Sequence, residues 1–232
     1  MNDDRAVLVA GGTGALGVAV VGELLDSGYS VTAPWVVERE KERVEESFPP
    51  SSAPLSLVRA DLMDPDAAAG VVDGVEGLHA VVNLVGGFSS GPKVHEADPE
   101  DFEHMLRLNL RPGLLLARAA MPRLVEAGGG AYVGVSARPA LRPFPGAAGY
   151  ITAKAGVLAF VQALDAEYRD AGVRCNAILP SVIDTPANRE AMPDADHSKW
   201  VPPEQIAKVI RFLVSDDSAP TSGAAIPVYG RA

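Results

Sequence analysis

Tyr150 and Lys154 stand four residues apart in "GYITAKAG", at the head of an apolar segment with helical periodicity. Side chains at i and i+4 share one face of a helix, so a phenol and an ammonium project together. A phenol with a pKa of about 10 is a poor acid or base at neutral pH, and a neighbouring positive charge favours the phenolate and lowers that value. Such a pair suits proton transfer at a reacting oxygen or nitrogen. Ser136, in "GVSARPAL" just upstream, is a candidate catalytic hydroxyl.

A second cluster carries a different chemistry. In "AGGTGALG", Gly11, Gly14 and Gly17 are spaced three apart, with Thr13 and Leu16 between them, after an apolar run and before a helical pattern. Glycines there allow a tight turn and close approach of backbone amides to a pyrophosphate, and a helix N-terminus adds partial positive charge. The end of the second apolar run, where an acidic residue would hold the ribose hydroxyls of NAD, is occupied by Trp35. Trp35 offers a flank for an adenine, and Arg39 and Lys41 offer either charge for a 2'-phosphate or a solvated helix face; the cofactor is NADP or NAD, with NADP preferred. Asp61 and Leu62 in "RADLMDP" fall where an adenine amine would be met, and Asp64 is placed to cap the following helix. Asn83, Val85 and Gly86 in "VNLVGG" close a further run, the glycine letting the chain pass near a flat ligand.

These residues need a frame. Seven short β-branched runs, "AVLVAG", "YSVTA", "LSLVRA", "LHAVVNLVG", "AYVGVS", "VRCNAILP" and "AAIPVYG", alternate with helical patterns that include 14–27, 99–127 and 149–171. Near-continuous apolar strands are covered on both faces, which predicts a doubly wound, seven-stranded parallel sheet between helix layers, a Rossmann fold spanning 1–232 as one domain. Loops 86–99 and 180–203 leave the carboxyl ends of strands, where ligands of such sheets bind. Residues 181–203 are expected to form a lid, with Trp200 packing it down and His197 solvated.

Composition narrows the partners. A net charge of -10 and a pI near 4.8 disfavour nucleic acid and anionic membrane surfaces. No apolar run approaches the ~20 residues of a membrane span, and the start of the chain lacks a signal-peptide pattern, so a cytoplasmic protein is expected. Cys175 is alone and reads as a buried thiol. His79, His95 and His104 lack metal-ligand spacing, and no metal is assigned.

Taken together, the motifs resemble those of the short-chain dehydrogenases/reductases over nearly the whole chain. "AGGTGALG" resembles the family's glycine motif, "NLVGG" its N-x-A-G segment, and "YITAK" its Y-x-x-x-K. The resemblance implies an NAD(P)-dependent oxidoreductase in which Tyr150 is the acid or base and Lys154 lowers its pKa and binds the nicotinamide ribose. It further implies that Asn109 holds a relay water and that Pro180 and Thr185 of "PSVIDT" contact the nicotinamide end. A homodimer or homotetramer is implied as well. The family's catalytic Ser precedes the Tyr by thirteen positions, which falls on Ala137; Ser136 is one step early, and on an extended strand that slip turns it to the other side.

Within the family, the dihydropteridine reductases resemble this chain in "SARPAL", in "VGGFSSG" and in "LPSVIDTPANREAMPDADHSKWVPPEQI". Their quinonoid substrate accepts hydride readily, so a Ser that polarises a carbonyl is less needed. Trp35 and Asn109 depart from that branch. The alternatives are an ordinary ketone or secondary-alcohol dehydrogenase and a nucleotide-binding regulator without catalysis.

Overall fold

In the computed structural model, which describes residues 5–48 and 54–231, the seven apolar runs become β1 (Ala6–Ala10), β2 (Ser30–Trp35), β3 (Leu55–Arg59), β4 (Leu78–Asn83), β5 (Gly130–Val135), β6 (Val173–Pro180) and β7 (Ala225–Val228). They form one sheet in the order β3-β2-β1-β4-β5-β6-β7, every pairing parallel. The helices are α1 (Ala15–Asp26), α2 (Glu38–Ser47), α3 (Pro65–Asp73), α4 (Pro99–Glu126), α5 (Ala148–Tyr168), α6 (Pro186–Ala191) and α7 (Pro203–Val214).

Alternation along the strands divides the apolar residues between two cores. Leu8, Val81 and Tyr132 face α3, α4 and α5 together with Leu116, Met121 and Val161. Val7, Val9 and Val82 face the other way, against Val20 and Leu24 of α1 and Ile206, Ile210 and Leu213 of α7. Each of these α7 side chains is fully buried and contributes about 1.5–3 kcal/mol as transferred apolar surface. Cys175 belongs to the α5-side core, and burial pushes its thiol up to about 12, which keeps it an unreactive packing residue.

This topology locates the functional crevice. The chain winds outward from β1 to β2 and β3, then returns to β4 on the other side of β1. The loops that follow β1 and β4 therefore diverge over the carboxyl ends of neighbouring strands, where a ligand fits between them. Both "GGTGALG" and "NLVGG" occupy those loops. Asp64 caps α3 by accepting from the Asp66 and Ala67 amides, and Asp98 caps α4 through Glu100.

Candidate active site

Helix α5 starts two residues before Tyr150 and carries Lys154 one turn on. The Lys154 ammonium lies 5.9 Å from the centre of the Tyr150 ring and donates to the Val135 carbonyl at 3.0 Å. Phe88, in the loop after β4, meets the Tyr150 ring edge-on with centroids 5.0 Å apart. The predicted pairing is present in space, and burial dominates the titration of both groups: it pushes the Tyr150 phenol up to about 12 and pulls Lys154 down to about 8. Both groups lose solvent, which disfavours the charged form of each; one of the three ammonium N–H groups goes to the Val135 carbonyl, and the others remain.

Asn109, 1% exposed on α4, staples the loop after β4. Its amide donates to the Met105 carbonyl at 3.0 Å and the Gly87 carbonyl at 3.2 Å, and its oxygen accepts from the Gly87 amide at 3.2 Å. Both N–H groups are thus engaged within the protein, and only acceptor capacity on the oxygen remains for a water. A Cβ on Gly86 would sit 2.5 Å from Asn109 Oδ1 and 3.0 Å from Lys154 Nζ; glycine is what lets the strand-four loop lie against this pair. Asn83 holds the same loop by accepting from the Val85 amide at 3.1 Å.

The Ser136 hydroxyl donates to the Lys154 carbonyl at 2.6 Å. A hydroxyl has one proton to give, so Ser136 as placed has none for a substrate oxygen, and the candidate catalytic hydroxyl serves as a clamp between β5 and α5. Ala137 follows in extended backbone, φ -159° and ψ 155°, and its methyl points to the opposite side. Neither residue offers a free hydroxyl donor.

The glycine loop fits a dinucleotide. Gly14 precedes the first residue of α1 without a side-chain cap, and the first turn holds no acidic residue, so its amides remain open to an anion. Gly11 has φ +78°, and a Cβ on it would come within 3.2 Å of the loop after β4. At the adenosine end Trp35 closes β2, with Lys41 at 5.5 Å and Arg59 at 5.8 Å from its ring centre. Lys41 is also paired with Glu38 and Glu45, each at 3.2 Å, and Arg39 is exposed. The cations expected to meet a 2'-phosphate are thus occupied elsewhere or directed to solvent. Asp61 turns onto the Met63 amide at 2.9 Å, beside the buried Leu62.

On the far side of the crevice Pro180 ends β6, and Thr185 caps α6 by accepting from the Asn188 amide at 3.2 Å. The segment that follows is pinned at its ends by a bridge between Ile183 and Val201. Trp200 is buried, as expected of the packing residue. His197 is half-buried rather than solvated: its ring lies 4.3 Å from that of Trp200, and Nε2 is 2.9 Å from the Met192 carbonyl. A cavity of about 320 Å³ opens beside Tyr150, walled by Ser90, Phe102, Met105 and Gly146. A larger hollow of about 460 Å³ lies at Leu78, His79 and Gly129, at the amino ends of the strands and remote from this chemistry. Among the described residues no cluster of metal-ligating side chains occurs, and no helix is long and apolar enough to cross a membrane.

The family model for short chain dehydrogenases matches residues 5–196. The chain belongs to the short-chain dehydrogenases. This short-chain dehydrogenase is 26% identical to 2-(R)-hydroxypropyl-CoM dehydrogenase of Xanthobacter autotrophicus, with 97% of each chain covered. It is also 26% identical to cyclohexanol dehydrogenase of an Acinetobacter species, over 98% of this chain and 94% of that one. Among solved structures, a short-chain type dehydrogenase/reductase from Mycobacterium ulcerans superposes with a TM-score of 0.91 at 25% identity, covering 99% of this chain and 90% of its own. The short-chain dehydrogenase is thus an NAD(P)-dependent oxidoreductase, which sets aside a purely regulatory role. A bound NAD(P) supplies or accepts the hydride.

The depressed Lys154 gives this enzyme a pH signature. Below about 8 the side chain is an ammonium beside the phenol, and above it the charge is lost. If Tyr150 is the proton donor, as proposed below, the charged form stabilises the phenolate left behind, and kcat/KM for reduction is expected to fall as pH rises through about 8. Initial rates from pH 6 to 10 check this; a profile that stays level across that span would contradict it.

Proposed function

We propose that this short-chain dehydrogenase reduces an activated C=N acceptor of the quinonoid dihydropteridine kind, with Tyr150 donating the proton. The observation that carries the reading is that the only hydroxyl of the "SARPAL" segment, Ser136, donates to the Lys154 carbonyl, while Ala137 takes the position of the family's catalytic Ser. An ordinary ketone gains from a hydroxyl that polarises its oxygen as charge develops; a quinonoid system carries that activation in its own bonds. A phenol raised to about 12 holds its proton until hydride addition creates a basic nitrogen, which suits reduction better than alcohol oxidation. Phe88, edge-on to the Tyr150 ring, supplies a flat surface for such a ring system. Pro180 and Thr185 are assigned to the nicotinamide end, Lys154 to its ribose, and Leu16, Asp61 and Leu62 to the adenosine half.

A second reading is kept because the relatives named above act, by their names, on hydroxyl-bearing substrates. Side-by-side turnover with quinonoid dihydropterin and with a panel of ketones and secondary alcohols separates the two. We expect kcat/KM for the dihydropterin to exceed that of the best ketone by at least about a hundredfold, the scale of one removed oxyanion donor; a ketone turned over as well as the dihydropterin would reverse the assignment. β7 is an edge strand of the sheet, and pairing of subunits there as a homodimer or homotetramer is part of the proposal, which light scattering would measure.

A further inference from the structure

We infer that Glu40 makes the adenosine end of the crevice selective for NAD(H), by refusing the 2'-phosphate that distinguishes NADP(H). The inference rests on the crevice being a dinucleotide site and is independent of which substrate is reduced. Thr13 lies between Gly12 and Gly14 in the loop after β1 and is 3% exposed. Its hydroxyl donates to Glu40 Oε2 at 3.1 Å. Glu40 is the third residue of α2, so this hydrogen bond bridges the glycine loop and the chain that leaves β2. That gap is where the adenosine ribose of a dinucleotide lies in a doubly wound fold. The acidic residue such folds place at the end of the second strand is replaced here by Trp35, and the carboxylate arrives instead from the first turn of the next helix.

The chemistry of the pair selects between two ribose substituents. An ionised carboxylate only accepts hydrogen bonds. Oε2 takes the Thr13 proton, and Oε1 remains to accept from a ribose 2'-hydroxyl. A 2'-phosphate brings about two negative charges and acceptor oxygens, so it has no proton to share with either carboxylate oxygen and meets like charge at close range. Of the neighbouring cations, Lys41 is shared between Glu38 and Glu45, Arg59 lies over the Trp35 ring, and α2 as a whole carries five glutamates against two arginines and one lysine. The inference runs opposite to the preference for NADP read from Arg39 and Lys41.

Calorimetric titration of the intact protein with 5'-AMP and with 2',5'-ADP tests this without any turnover. In the wild type 5'-AMP is expected to bind at least about tenfold more tightly, and NADH more tightly than NADPH in the same ratio, as a like-charge clash requires. Glu40→Gln keeps the shape and removes the charge; it should narrow the ratio at least about tenfold, chiefly by tightening 2',5'-ADP. Equal or tighter binding of 2',5'-ADP by the wild type would overturn the inference, as would an unchanged ratio in the variant. Binding of neither nucleotide would overturn it together with the dinucleotide crevice, whereas failure on pterin substrates with the nucleotide ratio intact would touch only the proposed substrate.

Discussion

Tyr150→Phe is expected to lower turnover by about a hundredfold to ten-thousandfold, the range lost when a positioned acid is removed. That corresponds to about 3–5 kcal/mol in the barrier. Burial is the only influence resolved on the titration of the phenol, and the edge contact with Phe88 involves the ring. The substitution therefore deletes the proposed proton donor and leaves the packing in place. Nucleotide affinity, measured by fluorescence quenching, should stay within about threefold of wild type, because binding and chemistry are separable when the interaction lost is made only in the transition state. The fall should appear in kcat and in kcat/KM alike. Turnover within about threefold of wild type would remove Tyr150 from the chemistry, and with it the significance of the neighbouring ammonium.

Much of this site was legible in the chain because its parts are local. The spacing of Tyr150 and Lys154 is a helical spacing, and α5 begins at Ala148 as the periodicity from 149 predicts. The seven strands follow from unbroken apolar runs, since a parallel sheet leaves no solvent face to interrupt them. The single domain follows from their regular alternation with helices. The slip of Ser136 against Ala137 was legible for the same reason, strand geometry turning a one-residue offset into opposite directions.

What escaped the sequence is set by contacts between distant segments. Thr13 and Glu40 are 27 positions apart and meet only because the glycine loop and α2 lie on the same side of β2. Asn109 carries the signal of a relay residue, yet its amide is consumed by the Gly87 backbone, 22 positions away. The direction of the Tyr150 and Lys154 shifts depends on how much solvent the fold excludes, and no spacing encodes that. Phe88 had a visible signal, an aromatic residue flanked by glycines and serines in a polar loop, but its partner is fixed only once the loop folds over α5.

The glycine loop carries the second large effect. Gly17→Ala is expected to abolish measurable nucleotide binding and to destabilise the fold, because a Cβ at that position would lie 2.1 Å from the Gly11 carbonyl oxygen and 2.5 Å from the Gly12 carbonyl carbon. Both obstacles are backbone, so no side chain can rotate aside, and α1 must move away from β1. Overpacking of this kind costs about 1–3 kcal/mol, which lowers the melting midpoint of a chain this size by roughly 2–12 °C. The displacement also carries off the α1 amides proposed to face a pyrophosphate, so affinity is expected to fall further than stability does. Gly14→Ala separates the two effects. Its Cβ would meet only the Gly11 oxygen, at 3.5 Å, and its φ of -75° suits any residue. The melting midpoint should hold within about 1–2 °C, roughly half a kcal/mol, while the added methyl at the helix entrance weakens 5'-AMP and NADH binding. A Gly17→Ala protein with wild-type melting and wild-type affinity would mean that the loop and the helix are not packed as close as the structure has them, and the anion cradle would lose its physical basis.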